Sequence, residues 1–231
     1  MPAWRQSFQE GARHMAPVGL FVVPFGIAYG AAAIETGLAP WVALLKSALM
    51  FAGASQIAAL EIWHEPLPVV TLILIALAVN ARHILLGATL AHRLLPLPPW
   101  RLNTSLYFLT DANWAMLNGS EGGRITHLPA YLCGSGLVLW ITWVIGTWIG
   151  VEVGRELGDM KRYGLDLMMV IYFGAVVMTQ WRGRVDLGPW IAAAIIGVAG
   201  SFVLPMGWHV IAGALAGGLV GAWQATPTDP K

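Results

Sequence analysis

Apolar residues in this chain do not alternate with polar ones at the spacing of a half-buried helix or strand. They run in long blocks, separated by short clusters of proline, glycine and charge. Blocks of about 17–25 apolar residues are the length that crosses a bilayer as a helix, and reading the blocks against their breakers predicts seven to eight membrane segments. The first, 17–34, contains Pro24-Phe25-Gly26; proline removes a backbone donor and glycine weakens a helix, so a break is expected there. The second, 41–60, carries the small and polar run Gly53-Ala54-Ser55-Gln56. The third, 67–91, begins as an unbroken aliphatic run and then meets Asn80, Arg82 and His83. After a proline-rich turn at 96–100, the stretch 103–119 has Asp111 and Asn113 at its centre. A polar turn at 120–124 precedes 129–150, where Trp140, Trp143 and Trp148 suggest an interfacial belt. A further segment is read at 165–181, and Pro205-Met206-Gly207 divides the final apolar run into 187–204 and 207–224. Each half would be about 27 Å long, close to the hydrocarbon thickness.

The pattern predicts an all-α, polytopic membrane bundle forming a single domain over 1–231, with an early segment broken or re-entrant. Outside the bilayer it leaves a polar N-terminal segment at 1–16, a main extramembrane loop at 152–164 and a tail at 225–231. A cleavable leader fits poorly, because Pro24 and Gly26 interrupt the apolar stretch and Glu10 sits where basic residues belong.

Composition supports the same solvent. The chain is 57% hydrophobic and 11% charged, against roughly 25% charged in a soluble domain, too few charges for a water-facing shell. No Asp, Glu, Lys or Arg occurs in 125–151 or 187–228. A net charge of +1 without a basic stripe gives no case for a nucleic-acid partner. Cys133 has no second cysteine to pair with, no Cys/His spacing resembles a metal site, and no phosphate-cradling loop implies a cofactor. If one early segment dips in and returns, Arg5, Arg13, Lys46, Arg93, Arg101, Arg155, Lys161 and Arg162 share one face, which would be cytoplasmic. Gly213, Gly217 and Gly221 recur at spacing four; this is either a helix-packing stripe or the ordinary abundance of glycine in membrane helices.

Polar groups inside a bilayer are costly and usually face a cavity or a partner. Four places stand out. A break at Pro24-Phe25-Gly26 would present free amides and carbonyls, or else be a packing kink. Phe51 and Gly53-Ala54-Ser55-Gln56 combine close backbone approach with neutral hydrogen bonds suited to a zwitterion, or else join helices. Asn80 and His83 share one side of a helix while Arg82 points elsewhere and needs a counter-charge, with Asp111 the available acid; snorkelling to the interface is the alternative. Asp111 with Asn113 would be a coupling acid if embedded, and a cap or solvated group if not. Together Pro24, Phe25, Gly26, Phe51, Gly53, Ser55, Gln56 and Asn80 are expected to line a substrate cavity, with Arg82, His83 and Asp111 gating or coupling. The catalytic alternative is an intramembrane serine protease using Ser55 and His209; a channel or structural subunit is the other.

The early motifs resemble those of the AzlC-type large subunits of branched-chain amino acid exporters. The resemblance rests on Phe8-Gln9-Glu10-Gly11-Ala12-Arg13 ahead of Pro17, then Pro24-Phe25-Gly26-Ile27-Ala28-Tyr29-Gly30. It continues through Phe51-Ala52-Gly53-Ala54-Ser55-Gln56, Asn80-Ala81-Arg82-His83 and Thr110-Asp111. It covers about the first half of the chain, the later half matching in length, hydropathy and the Pro205-Met206-Gly207-Trp208 turn. Asn113-Trp114 departs from the acidic or small residues expected after Asp111. The resemblance implies a carrier rather than an enzyme, multi-pass in the bacterial inner membrane and surrounded by lipid. It would work with a small hydrophobic AzlD-type partner and move leucine, isoleucine and valine outward, with methionine as a further substrate, using the proton gradient.

Overall fold

The computed structural model describes residues 2–118, 125–157, 174, 178, 181, 183–204 and 208–224. Every regular element among them is helical: α1 (Ala3–Glu35), α2 (Pro40–Met50), α3 (Gly53–Glu61), α4 (Val69–Asn80), α5 (Arg82–Leu94), α6 (Pro99–Tyr107), α7 (Asp111–Asn118), α8 (Leu128–Leu157), α9 (Leu187–Val203) and α10 (Trp208–Gln224). A 3-10 turn, Arg184–Asp186, leads into α9. Among the described residues three helices are long and apolar enough to cross a membrane, Ala3–Glu35, Leu128–Glu156 and Arg184–Val203, and there is a fourth span if α4 and α5 count as one broken helix. The remaining expected crossings fall on α2, α3, α6 and α7, each too short to span alone at 1.5 Å per residue, on the 17-residue α10, and on 165–181. That last segment lies outside the described residues apart from three isolated positions, as do the turns at 120–124 and 205–207 and the tail at 225–231.

The chain forms two compact units. The first comprises Met1–Ile57 and Asn80–Met169, the second Ala58–Val79 and Val170–Lys231.

In the first unit α1 lies directly on α8, and glycine sets how closely. A Cβ at Gly26 would stand 2.8 Å from the Trp143 carbonyl, and one at Gly146 would stand 2.6 Å from the Val23 carbonyl and 3.0 Å from the Gly26 Cα. The same reciprocal pattern joins Gly11 to Tyr131, Gly134 to Phe8, Gly30 to Thr147 and Gly150 to Ile27. Two backbones meet along most of their length, the small-residue packing that membrane helices use in place of a hydrophobic driving force.

This contact corrects the expected break at Pro24-Phe25-Gly26, because α1 is continuous through both Pro17 and Pro24. Pro24 lies on the exposed side while Gly26 faces α8, so the lost hydrogen bond is on the outside and the seam holding the helix straight is on the inside. The N-terminal polar segment is likewise the start of α1: Ser7, Gly11 and Met15 are buried, and Ser7 Oγ accepts a hydrogen bond from the His127 amide at 3.2 Å. The first part of the loop expected at 152–164 is helical, and 158–164 lie outside the described residues. Helix α8 runs to Leu157, with Gly154 against Ala31 and an i,i+3 ion pair of 3.4 Å between Arg155 and Glu152 on its exposed side.

The rest of the first unit is built from broken helices. Helix α2 stops at Phe51, whose φ of 38° is left-handed, and α3 restarts two residues later. Helix α4 belongs to the second unit except for its last residue, Asn80, and Ala81 alone separates it from α5; Phe108-Leu109-Thr110 separate α6 from α7. Leu90, Leu94, Leu109, Leu117, Ile125, Leu128, Tyr131 and Leu132 form the core beneath α5 to α8.

In the second unit α9 and α10 form a close pair. A Cβ at Gly213 would meet the Ala193 carbonyl at 2.8 Å, and one at Gly217 the Pro189 carbonyl at 2.9 Å. The glycine stripe is therefore a packing seam. No residue of α9 is fully buried, as expected of a helix whose outer faces contact hydrocarbon.

Candidate functional site

Helix ends leave carbonyls and amides without intrahelical partners, and inside a bilayer these must be satisfied by something else. The three breaks of the first unit satisfy one another. At the end of α2, the Ala48 carbonyl accepts from the Tyr107 hydroxyl at 2.7 Å and from Trp140 Nε1 at 2.9 Å. The Phe51 ring sits against Tyr107 and Phe108, with ring centres 6.2 and 6.5 Å away, which holds a non-glycine residue in a conformation that costs roughly 1–2 kcal/mol. The break between α2 and α3 thus packs on the break between α6 and α7.

The break at Ala81 joins both. On one side Asn80 Nδ2 donates to Ser55 Oγ at 3.0 Å, and Ser55 Oγ donates to the Ala52 carbonyl at 3.0 Å. On the other, Arg82 Nη2 meets Asp111 Oδ2 at 3.1 Å, both side chains remaining partly exposed. The carboxylate also occupies the first turn of α7, where the helix dipole favours negative charge. Asn113, by contrast, is structural. Its Oδ1 accepts from the Thr110 amide at 2.8 Å while its own amide reaches Thr110 Oγ1 at 3.3 Å, and Nδ2 donates to the Phe108 carbonyl at 2.7 Å. This is a reciprocal cap that starts α7.

Behind α3, Gly53 approaches the Trp143 ring so closely that a Cβ would stand 2.8 Å from it. Trp143 Nε1 donates to Gln56 Oε1 at 3.1 Å, and the Tyr29 ring stacks on the indole with centres 5.7 Å apart. A buried hydroxyl pair, Ser47 and Thr147 at 2.8 Å, fastens α2 to α8 nearby. His83 faces a cavity of about 450 Å3 whose other walls are apolar, among them Gly87, Leu94, Leu102 and Leu106; its Nδ1 is buried without a partner among the described residues.

Of the residues singled out in the sequence, Phe51, Gly53, Ser55, Gln56, Asn80, Arg82 and Asp111 gather at these breaks, and His83 lies beside them on the cavity. Pro24 lies on the exposed side of α1, and Gly26 is taken up in packing on α8. The sequence reading missed Tyr29, Tyr107 and Trp143 as site residues. A phenol inside the small-residue run Ala28-Tyr29-Gly30 was the available signal, since a buried tyrosine needs somewhere to put its hydroxyl. Trp140 and Trp143 are also corrections to the interfacial belt: both indole N–H groups are spent on protein, and of the three tryptophans Trp148, 55% exposed, keeps the character of a belt residue.

The family model described as AzlC protein matches residues 17–157. The chain belongs to the AzlC family. The AzlC match contains every residue of the three breaks together with Tyr29 and Trp143, and ends before α9 and α10. Among similar proteins, an uncharacterized membrane protein of Archaeoglobus fulgidus is 29% identical over 94% of this chain and 95% of its own length. The inner membrane protein YgaZ of Escherichia coli is 25% identical over 96% of this chain and 94% of its own. An uncharacterized membrane protein of Helicobacter pylori is 23% identical over 82% and 83%. No solved structure matches. With its apolar helices and these membrane-protein relatives, this AzlC-family chain is a membrane protein, and its kinship points to a role in transport.

Proposed function

We propose that this chain is the larger subunit of a secondary transporter that exports branched-chain amino acids across the bacterial inner membrane, completed by a small hydrophobic partner of the AzlD type. The observation that carries the reading is the mutual contact of three helix breaks in one unit. Discontinuous helices are how transporters place backbone dipoles and neutral side chains at mid-membrane without a soluble surface. Ser55, Gln56 and Asn80 supply neutral polar groups fit for a zwitterion, while Phe51 and its aromatic neighbours offer apolar surface for an aliphatic side chain. Arg82 and Asp111 tie two breaks by one exchangeable ion pair, a contact able to open and reform as a gate. Seven to eight segments are part of this reading, with the α2–α3 and α6–α7 pairs taken as membrane-inserted.

The reading is a carrier and not an enzyme. In support, the Ser55 proton goes to the Ala52 carbonyl rather than to an imidazole. Counterflow of labelled leucine, isoleucine, valine and methionine in proteoliposomes, with and without the small partner, tests substrate and partner together. Saturable counterflow that needs both subunits is expected. Covalent labelling by a fluorophosphonate that disappears in Ser55→Ala would overturn the reading in favour of a hydrolase.

A further inference from the structure

Among the buried polar groups of the first unit that no described residue pairs with, two bear on one place. Gln56 is fully buried and its Nε2 has no partner; Tyr29 is fully buried and its hydroxyl has none. Folded proteins leave few such groups unpaired, because each has given up its hydrogen bonds to water for nothing in return. Both side chains bear on the same indole. Tyr29 stacks on Trp143 at an interplanar angle of 26°, and Trp143 Nε1 donates to Gln56 Oε1 at 3.1 Å.

The indole determines what Gln56 presents. Oxygen and nitrogen of a glutamine amide are normally interchangeable in shape, but an indole N–H can only donate. It therefore holds Oε1 to itself and turns the NH2 group away, so that this position offers a donor. Gln56 also stands in the first turn of α3, where the helix end favours negative charge, and the stretch 51–57 contains no ionisable side chain to compete for the donor.

From this geometry we infer that Gln56 Nε2 and the Tyr29 hydroxyl receive the carboxylate of the transported amino acid, with Trp143 as the positioning residue that aims Gln56. The inference rests on the transport reading and narrows it. The substrate must carry a free carboxylate, and amines or alcohols with the same side chain are excluded. Both side chains are fully buried in this conformation, so a ligand reaches them only when the first turn of α3 moves away from Trp143.

The test is competition against labelled leucine counterflow by leucinol and 3-methylbutylamine, which keep the side chain and lack the carboxylate. Wild-type protein is expected to prefer leucine to either analogue by about tenfold or more, as charge-assisted hydrogen bonds require. Gln56→Glu keeps the acceptor for Trp143 and replaces the donor with a negative charge; it should raise the half-saturation concentration for leucine by about tenfold or more and improve competition by 3-methylbutylamine. Tyr29→Phe should weaken leucine and leave leucinol unchanged, and Trp143→Phe should narrow the leucine-to-leucinol preference. Equal weakening of leucine and both analogues in Tyr29→Phe and Gln56→Glu would reduce these residues to packing and overturn the inference while leaving transport intact. Wild-type protein that counterflows no amino acid would instead remove the transport reading, and this inference with it.

Discussion

The first unit contains two kinds of helix pairing, and they differ in what the contact is made of. Between α1 and α8 the backbones touch through glycine on both sides, from Gly11 and Gly134 to Gly154. Among the broken helices, contact is made by side chains: Tyr107 and Trp140 on the Ala48 carbonyl, Asn80 on Ser55, and Arg82 on Asp111. The first kind is a seam with no spare volume, and the second is a set of separate ties. A protein that must be rigid in one place and rearrange in another can obtain both from this difference, because packed backbone resists any shift whereas a hydrogen bond or ion pair can be exchanged.

The largest effect is expected at the seam. Gly146→Leu places a side chain where even a Cβ would be 2.6 Å from the Val23 carbonyl, and it should cost about 3 kcal/mol or more and sharply lower the yield of folded protein. The readout is thermal unfolding and monodispersity in detergent, and a normal Tm would mean that α1 and α8 are not held as described. Next in size are the ties. Asn80→Ala should leave insertion and monodispersity normal while reducing leucine counterflow about tenfold, the loss expected when a buried hydrogen-bond partner is removed from a site. Unchanged counterflow would take Asn80 out of the site.

Arg82→Ala and Asp111→Ala probe a single tie from its two ends. If the ion pair acts as one unit, the double variant should be no worse than the worse single one, giving a coupling of about 0.5–3 kcal/mol from counterflow rates in a double-mutant cycle. Additive losses would mean that the two charges act separately. Asn113→Ala should lower stability by about 1 kcal/mol through loss of its cap, with little effect on substrate preference. Smallest of all, Trp148→Phe should be close to neutral in Tm, while Trp140→Phe, which strips a donor from the Ala48 carbonyl, should lower it by about 1 kcal/mol.

The parts of the site legible in the sequence were those where polarity is out of place. Ser55, Gln56, Asn80, Arg82 and Asp111 lie within or beside apolar stretches, and the cost of leaving such groups unpaired already argued that they meet something; the pairing of Arg82 with Asp111 follows from there being one nearby acid for an embedded cation. Pro24 was misread because a proline announces a lost hydrogen bond but not whether another helix supports the segment. The support comes from Gly146, Gly150 and Gly154, more than a hundred residues later. Trp143 was misread for a related reason. An indole in a span is equally at home at the lipid surface or under a glutamine, and only the fold says which. The helical class and membrane character needed no such information, since both follow from uninterrupted hydrophobicity.

The unbroken course of α1 along α8 also supplies an internal ruler. Because carbonyls of each helix abut glycines of the other over several turns, the two cannot slip by a residue without a clash, and they must travel as one strut. Spin labels on their outward faces should therefore keep a single narrow separation whether or not leucine is present, and provide the fixed origin from which any displacement of α3 or α7 is measured.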